Sequence, residues 1–480
     1  MYFDLTTFSF ETSGRSADAL AVIGADRSLS WAALAREAQA WAEQAQAAGL
    51  ARDVPVVIRG HKEASFFVAM AGALMMGAPF VPVDTIYPQA RMDRIVEIVC
   101  PAVIYDALGN TFTQPAVAGR SAVEQGLAYV LFTSGSTGDP KGVQIGRESV
   151  GLLGQWMKAA FELGDAPVFM NQAPFSFDLS MYEVFGTLCT GGTCVLNARD
   201  AIGTASWLPA MAQHEISVWV STPSFAHQQL VNRQFSAQGL PSLKVFLFCG
   251  EPLPRTLALK LRERFPEALI INTYGPTEAT VATTWVIIDD AVLAAERALP
   301  IGQPKPDSLV FVEYGELCIV GDHVMRGYLN RPDLNETRMF THTDGRRGFR
   351  TGDLGEVGED GLLYCRGRMD DQIKLNGYRI ELSEVDAALA SLPGVSAAAC
   401  AVLRRPDGTP VRLVGFIELA QASSAPTMTL PDALSQWRGD LALRLPSYMV
   451  PPELVNCPAL PVSSNHKVDR KQLLQWYGAL

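Results

Sequence analysis

Short runs of β-branched and aromatic residues alternate with stretches of helical periodicity along most of this chain, and no other feature restricts its fold as tightly. Residues 56–58, 102–105, 127–131, 217–220, 245–248 and 269–271 read as strands, with helices such as Arg255–Arg264 between them. Strand and helix in turn at this spacing form βαβ units, and βαβ units form mostly parallel sheet. Residues 315–320 and 361–364 read as shorter antiparallel strands. The pattern restarts near residue 370. A helix at 383–391, strands at 397–403 and 411–418, and a helix at 430–444 follow, with 420–429 a surface loop. At 480 residues, 48% of them hydrophobic, the chain is too long for one ordinary core and too apolar for disorder. The expected fold is α/β. A large N-terminal domain, residues 1–369, has mostly parallel sheets with packed helices plus a small antiparallel part. A small α+β domain covers residues 370–480.

The charge balance narrows the partners. Fifty acidic residues against 39 basic ones give a formal net charge of −11. That surface argues against nonspecific binding of nucleic acid or anionic membrane. The eight cysteines are scattered without a C-x-x-C pair, which suits buried thiols in a reducing cytosol. His214-Glu215 opens like a zinc-protease helix, but Val218 stands where the second histidine belongs, so no metal cage is expected. Met1-Tyr2-Phe3-Asp4 lacks the basic start of a signal peptide, and the expected location is cytoplasmic. Residues 64–83 carry no charge over a length that could cross a bilayer. Gly72, Gly77, Pro79 and Pro82 interrupt it, so it reads as a buried helix at 64–76 and a strand at 80–83, without membrane insertion.

The strongest local signal follows the strand at 127–131. Thr133-Ser134-Gly135-Ser136-Thr137-Gly138-Asp139-Pro140-Lys141-Gly142 combines three glycines, four hydroxyls and a lysine. Glycines let backbone N–H groups approach phosphate oxygens, hydroxyls donate further bonds, and lysine adds charge. The loop is not a Walker A motif, because no glycine directly precedes Lys141 and no Ser or Thr follows it. It contains no G-x-S-x-G, so Ser136 is a poor nucleophile. Further on, Asn272-Thr273-Tyr274-Gly275-Pro276-Thr277-Glu278 offers an aromatic plane, a hydroxyl and a carboxylate. Thr351-Gly352-Asp353 adds a carboxylate suited to ribose hydroxyls, Gly367-Arg368 adds charge, and Asn465-His466-Lys467 places a lysine near the C-terminus.

In this order the motifs resemble the adenylate-forming superfamily of acyl-CoA and aryl-CoA synthetases, luciferases and amino-acid adenylation domains. The likeness runs from Gly77 to Arg470. Phe175-Ser176-Phe177-Asp178-Leu179-Ser180 is similar to the amino-acid-activating branch, in which Asp178 would hold the substrate α-ammonium from a buried position. Residues 171–180, 221–226 and 246–251 look most like the D-alanine–carrier-protein ligases and the adenylation domains of nonribosomal peptide synthesis. The resemblance puts Asp178, Leu179, Tyr182, Val220, Leu247, Cys249, Thr273, Val281 and Ala282 around the substrate. The pocket is small, with Cys249 at the alanine methyl group and Tyr182 able to shrink it further. Glycine, L-alanine and serine stay open beside D-alanine, as does natural-product assembly beside teichoic-acid alanylation. Leu179, Leu247 and Val281 read equally well as ordinary core.

The same resemblance implies ATP and Mg²⁺. Thr133, Ser134, Gly135, Ser136, Thr137, Gly138 and Lys141 would hold the β- and γ-phosphates. Glu278 would bind the metal, Thr277 and Lys467 the α-phosphate, and Tyr274 the adenine face. Asp353 and Arg368 would sit at the ribose, with Gly250, Glu251, Asn272 and Thr273 completing the nucleotide site. The carboxyl-terminal domain would be a mobile lid hinged at Asp370, bringing Lys374 toward the site for transfer to thiol. His466 replaces the usual turn glycine before the lysine, where a left-handed backbone is less comfortable. No pantetheine-attachment serine is recognisable, so the acceptor is expected on a separate acyl or peptidyl carrier protein, and the enzyme is expected to be a monomer. An acyl-CoA ligase and a catalytically silent carrier-binding module are the alternatives. Asp178 argues against the first; Lys141, Glu278, Asp353 and Lys467 argue against the second.

Overall fold

The computed structural model describes residues 1–12, 14–116, 121–135, 139–295, 297–405, 408–419, 427–428, 431–461 and 468–479. Contacts divide the chain into two compact units. The first comprises Met1–Asp84, Ile98–Leu131 and Gly142–Met369; the second comprises Thr85–Glu97, Phe132–Lys141 and Asp370–Leu480.

The first unit is built on a nine-stranded sheet. Its parallel centre runs, in spatial order, through Leu269–Tyr274, Val245–Phe248, Val218–Ser221, Val168–Asn171, Thr193–Leu196 and Leu20–Ile23. Antiparallel strands close both edges: Thr284–Ile287 and Gln303–Pro304 on one side, Ser28–Ser30 on the other. Central strands are buried on both faces, which is why they read as continuous apolar runs. In Val245–Phe248, Val245 and Leu247 enter one hydrophobic core while Phe246 and Phe248 enter another. The period-2 alternation of strand side chains therefore sorts these residues between two cores. A second, seven-stranded sheet contains the parallel strands Val56–Gly60, Phe80–Asp84, Val103–Asp106 and Leu127–Thr133. A five-stranded sheet around Arg347–Val357 is antiparallel.

The long uncharged segment is a core helix, Ala64–Met76, in which every residue from Ala64 to Leu74 is buried. Gly77 ends it in the left-handed conformation, φ 72°, where glycine pays no Cβ penalty. No described helix is long and apolar enough to cross a membrane.

In the second unit, Gln372–Leu375 and Tyr378–Glu381 form a hairpin. Its turn is Asn376-Gly377 with φ of 51° and 84°, the paired left-handed residues that a two-residue hairpin requires. Val395–Arg404, Pro410–Leu419, Leu454–Cys457 and Thr427–Met428 make a four-stranded sheet, packed with the helix Leu382–Ala390. The surface-loop expectation for 420–429 needs correction at Thr427–Met428. These residues pair antiparallel with Val455 and Asn456 and cover an edge of the sheet; residues 420–426 and 429 lie outside the described ones.

Candidate active site

The motif residues of the first unit gather at the carboxyl ends of its parallel strands, the place where open α/β sheets bind ligands. Leu269–Tyr274 runs three residues past its expected end, because Asn272, Thr273 and Tyr274 pair with Val286, Trp285 and Thr284. Thr273 and Tyr274 are thereby held on a strand. The next turn brings Gly275 against the returning chain: a Cβ there would lie 2.4 Å from Ala282 Cα, so only glycine fits.

Around that turn lies a set of small polar contacts. Thr277 Oγ1 donates to Asp178 Oδ2 at 2.7 Å. Tyr182 OH lies 3.1 Å from Thr273 Oγ1, which in turn donates to the Phe248 carbonyl at 2.8 Å. Cys249 Sγ approaches the Val281 carbonyl at 3.7 Å. Leu179, Tyr182, Val220, Leu247, Cys249, Val281 and Ala282 are all buried within one core. Asp178 differs from expectation, being only half-buried. It sits in the turn leading to the helix Ser180–Thr190, with its backbone carbonyl accepting from Met181 N.

Thr280 and Val281 have φ of 54° and 69°. Left-handed backbone is a genuine outlier for β-branched residues, and strain of this kind is concentrated at functional sites. Two buried groups hold the strained segment. Lys305 Nζ donates to the Ala282 carbonyl at 2.8 Å, and Thr280 Oγ1 donates to the His323 carbonyl at 2.7 Å. Burial pulls the Lys305 ammonium down to about 7. Burial first, then Lys305, holds His323 well below the usual imidazole range.

A second chain of contacts runs Tyr274–Asp353–Arg368. Tyr274 OH donates to Asp353 Oδ2 at 2.6 Å, and an Arg368 guanidinium nitrogen meets Oδ1 at 2.9 Å. Burial, followed by the Asp353 charge, drives the Tyr274 phenol well above its ordinary range, so Tyr274 stays a donor. Glu278 is fully buried, with Oε1 accepting from Tyr328 OH at 2.5 Å. Three other candidates have architectural contacts. Asn272 Nδ2 donates to the Pro300 carbonyl, Glu251 Oε2 accepts from Ser224 N at the start of the helix Pro223–Gln229, and Gly250 has φ 91°.

The loop candidates belong to the second unit. Lys141 Nζ pairs with Glu381 Oε1 at 2.9 Å, and both are buried. Gly135 N donates to Glu384 Oε2 at 3.2 Å; Ser134 Oγ donates to the Arg379 carbonyl and accepts from Glu381 N. Arg91 pairs with Glu384 at 2.5 Å. Burial raises the Glu384 carboxyl despite Arg91. Two carboxylates thus meet the lysine and amide that were read as a phosphate cradle, so those groups can bind anionic oxygen. Asp370 is exposed and its Oδ1 accepts from Gln372 N; Lys374 lies on the hairpin strand Gln372–Leu375. Ser136, Thr137, Gly138 and Lys467 lie outside the described residues. Sequence reasoning missed Glu381, Glu384, Tyr328 and Lys305, whose contacts are long-range. The dipeptide Asn376-Gly377 is the local signal from which the hairpin carrying Glu381 could have been read.

The AMP-binding enzyme family model matches residues 10–121 and 106–329, and the chain belongs to that family. ATP is the nucleotide such ligases use. Over 455 residues the chain is 38% identical to the D-alanine–D-alanyl carrier protein ligase of Bacillus thuringiensis (strain Al Hakam), covering 88% of this chain and 89% of that protein. The ligase of the same name from Bacillus cereus (strain AH820) matches to the same extent. Among solved structures, the Vibrio cholerae adenylation domain AlmE in complex with glycyl-adenosine-5'-phosphate superposes with a TM-score of 0.82. Its identity is 21%, and the match covers 99% of this chain and 97% of that one. The fused adenylation–PCP di-domain NpsA-ThdA from Klebsiella oxytoca superposes at 0.78 with 22% identity, covering 95% and 94%. These likenesses bear out the expected superfamily and mixed α/β fold.

Proposed function

We propose that this chain activates a small amino acid, D-alanine first, as its adenylate and passes the acyl group to the phosphopantetheine thiol of a separate carrier protein. The observation that carries the reading is Asp178, half-buried and accepting from Thr277 Oγ1, on a chain segment whose neighbours Tyr182, Cys249 and Val281 are buried in the same core and would wall the substrate. A carboxylate there would pair with an α-ammonium, a positive charge that an acyl substrate does not bring. The curated relatives named for D-alanine and its carrier support the same substrate and acceptor.

In the first half-reaction the substrate carboxylate attacks the α-phosphorus of ATP in line. A P–O bond forms and the bond to pyrophosphate breaks. The nucleophile is already an anion, so no general base is needed and the protein supplies position and charge. Thr277 and Lys467 would face the α-phosphate. Tyr274 would present its ring to adenine, and Asp353, aligned by Arg368, would accept from ribose hydroxyls. Thr133 through Lys141 would hold the departing pyrophosphate oxygens. Glu278, buried and accepting from Tyr328 OH, would supply a hard carboxylate of the kind Mg²⁺ takes from a protein, one or two beside phosphate and water ligands. Bound there, the ion would neutralise charge on the phosphates. In the second half-reaction a thiol attacks the acyl carbon, the thioester forms and AMP leaves. Lys467 has no role in that step, and rotation about Asp370 would remove it. The test is substrate-dependent pyrophosphate exchange over D- and L-amino acids. D-Alanine should be fastest, with glycine leaking through, since one methyl group discriminates by only about 1–3 kcal/mol. Fastest exchange with a large aromatic or acidic amino acid would overturn the reading.

A further inference from the structure

Outside these contacts the first unit buries an ammonium group that the chemistry above does not use. Lys62 lies between the strand Val56–Gly60 and the helix Ala64–Met76 and is 1% exposed. Its Nζ donates to Asn171 Oδ1 and, at 2.5 Å, to the Ala173 carbonyl. It also lies 4.7 Å from the centre of the Phe175 ring. Asn171 ends the strand Val168–Asn171 and donates to Glu183 Oε1 at 3.1 Å, and Glu183 sits in the first turn of the helix Ser180–Thr190. One ammonium group and one amide therefore tie together both ends of the segment that carries Asp178.

The chemistry of the pair makes it an odd choice for stability alone. Burial draws the Lys62 ammonium down to about 8 and lifts the Glu183 carboxyl to about 8. Glu183 Oε2 is buried without a hydrogen-bond partner. The two charges do not touch; Asn171 bridges them, and buried charges of this kind are commonly replaced by neutral groups with no loss of stability. The contacts that a neutral residue could not reproduce are those of Lys62 Nζ, on Asn171, the Ala173 carbonyl and the Phe175 face.

We propose that Lys62 is a positioning residue for the amino-acid site: it fixes the entry of the 172–179 segment, so that Asp178 meets the substrate ammonium in register. The proposal rests on the function proposed above. Its test compares wild type with Lys62→Met and with Lys62→Met/Glu183→Gln. The double variant removes both buried charges and keeps an acceptor for Asn171, so it folds where the single variant is left with an unpaired buried carboxylate. The readout is pyrophosphate exchange, separating the KM for D-alanine from that for ATP, beside a thermal melt. The expected result for the double variant is a folded protein whose melting temperature falls modestly, since Asn171 Oδ1 loses its donor, with an unchanged KM for ATP and a KM for D-alanine raised about 10–100-fold, as a misplacement of about 1 Å produces. An unchanged KM for D-alanine, an equal rise in both KM values, or a double variant that does not fold would each overturn the proposal. An Asp178→Asn arm separates the two readings. If Asp178→Asn leaves exchange intact, the amino-acid reading fails; if Asp178→Asn loses exchange while the Lys62 variants keep their KM for D-alanine, only the positioning role fails.

Discussion

Replacing Asp178 by Asn removes one negative charge and little else. The amide oxygen still accepts from Thr277 Oγ1, whose present distance is 2.7 Å, so the turn into the helix Ser180–Thr190 should hold. Breaking a fully buried ion pair costs about 3–5 kcal/mol. Asp178 is half-buried, so part of its solvation survives and the smaller value of a charge-assisted hydrogen bond applies, about 2–3 kcal/mol. At about 1.4 kcal/mol per tenfold, kcat/KM for D-alanine should fall about 30–150-fold. The assay is pyrophosphate exchange with D-alanine and with propionate, which has the same carbon skeleton without the ammonium group. Wild type should reject propionate, because binding it would desolvate the Asp178 charge without bringing a compensating positive one; the Asn variant should narrow the gap. A variant that keeps full D-alanine exchange, or one that still excludes propionate as strongly as wild type, would refute the reasoning.

The two-step chemistry makes opposite demands on two other positions. Lys467→Ala should slow adenylation about 10²–10³-fold, the loss usual for one transition-state donor, and leave thiol transfer from supplied aminoacyl-AMP far less affected. Asp370→Pro should spare adenylation and depress carrier loading, since proline fixes φ where the rotation is to be absorbed; single-turnover pyrophosphate release beside carrier acylation measures both. Tyr182→Ala should lower the melting temperature, truncation of a buried aromatic costing about 3–5 kcal/mol, and should admit amino acids larger than alanine in the exchange assay. His323 sets an acid limit. Its folded value lies well below the unfolded 6.5, so the unfolded chain takes up a proton there first, and this part of the stability declines as pH falls through 6.5. The melting temperature of His323→Gln should accordingly fall less than that of wild type between pH 7.5 and 5.5.

The parts of the fold that could be read in advance are those set by local pattern. Helices Ala64–Met76 and Arg255–Arg264 and the strand Val245–Phe248 stand at their expected bounds, because period and composition change sharply at their ends. The strand at Leu269 was expected to stop at Ile271, and Thr427–Met428 was read as loop. Both depend on pairing with another strand, Thr284–Ile287 and Leu454–Cys457, which local composition does not show. The same division holds at the site. Motif residues singled out Thr277, Tyr274 and Asp353, the family resemblance singled out Asp178, and the structure brings Asp178 to Thr277 and Tyr274 to Asp353. Lys62, Lys305 and Glu381 carry no local signature; their meaning comes from burial and from partners between about a score and a few hundred residues away. The half-exposure of Asp178 was not legible either, since a residue's solvation depends on what folds over it.

The left-handed pair Thr280-Val281 has a consequence for anyone redesigning this pocket. Each residue holds a conformation that costs about 1–3 kcal/mol, and Val281 is also a wall of the proposed substrate site. Selection for a new side chain at 281 would therefore act on fold and specificity through one codon. Glycine would relax the backbone while opening the wall, so a library screened for thermostability would drift toward larger substrates without being asked to. A library screened for tighter discrimination would drift toward fragile proteins. Compensation would have to come from elsewhere in the core, and variants at 281 are best sampled in a background stabilised beforehand.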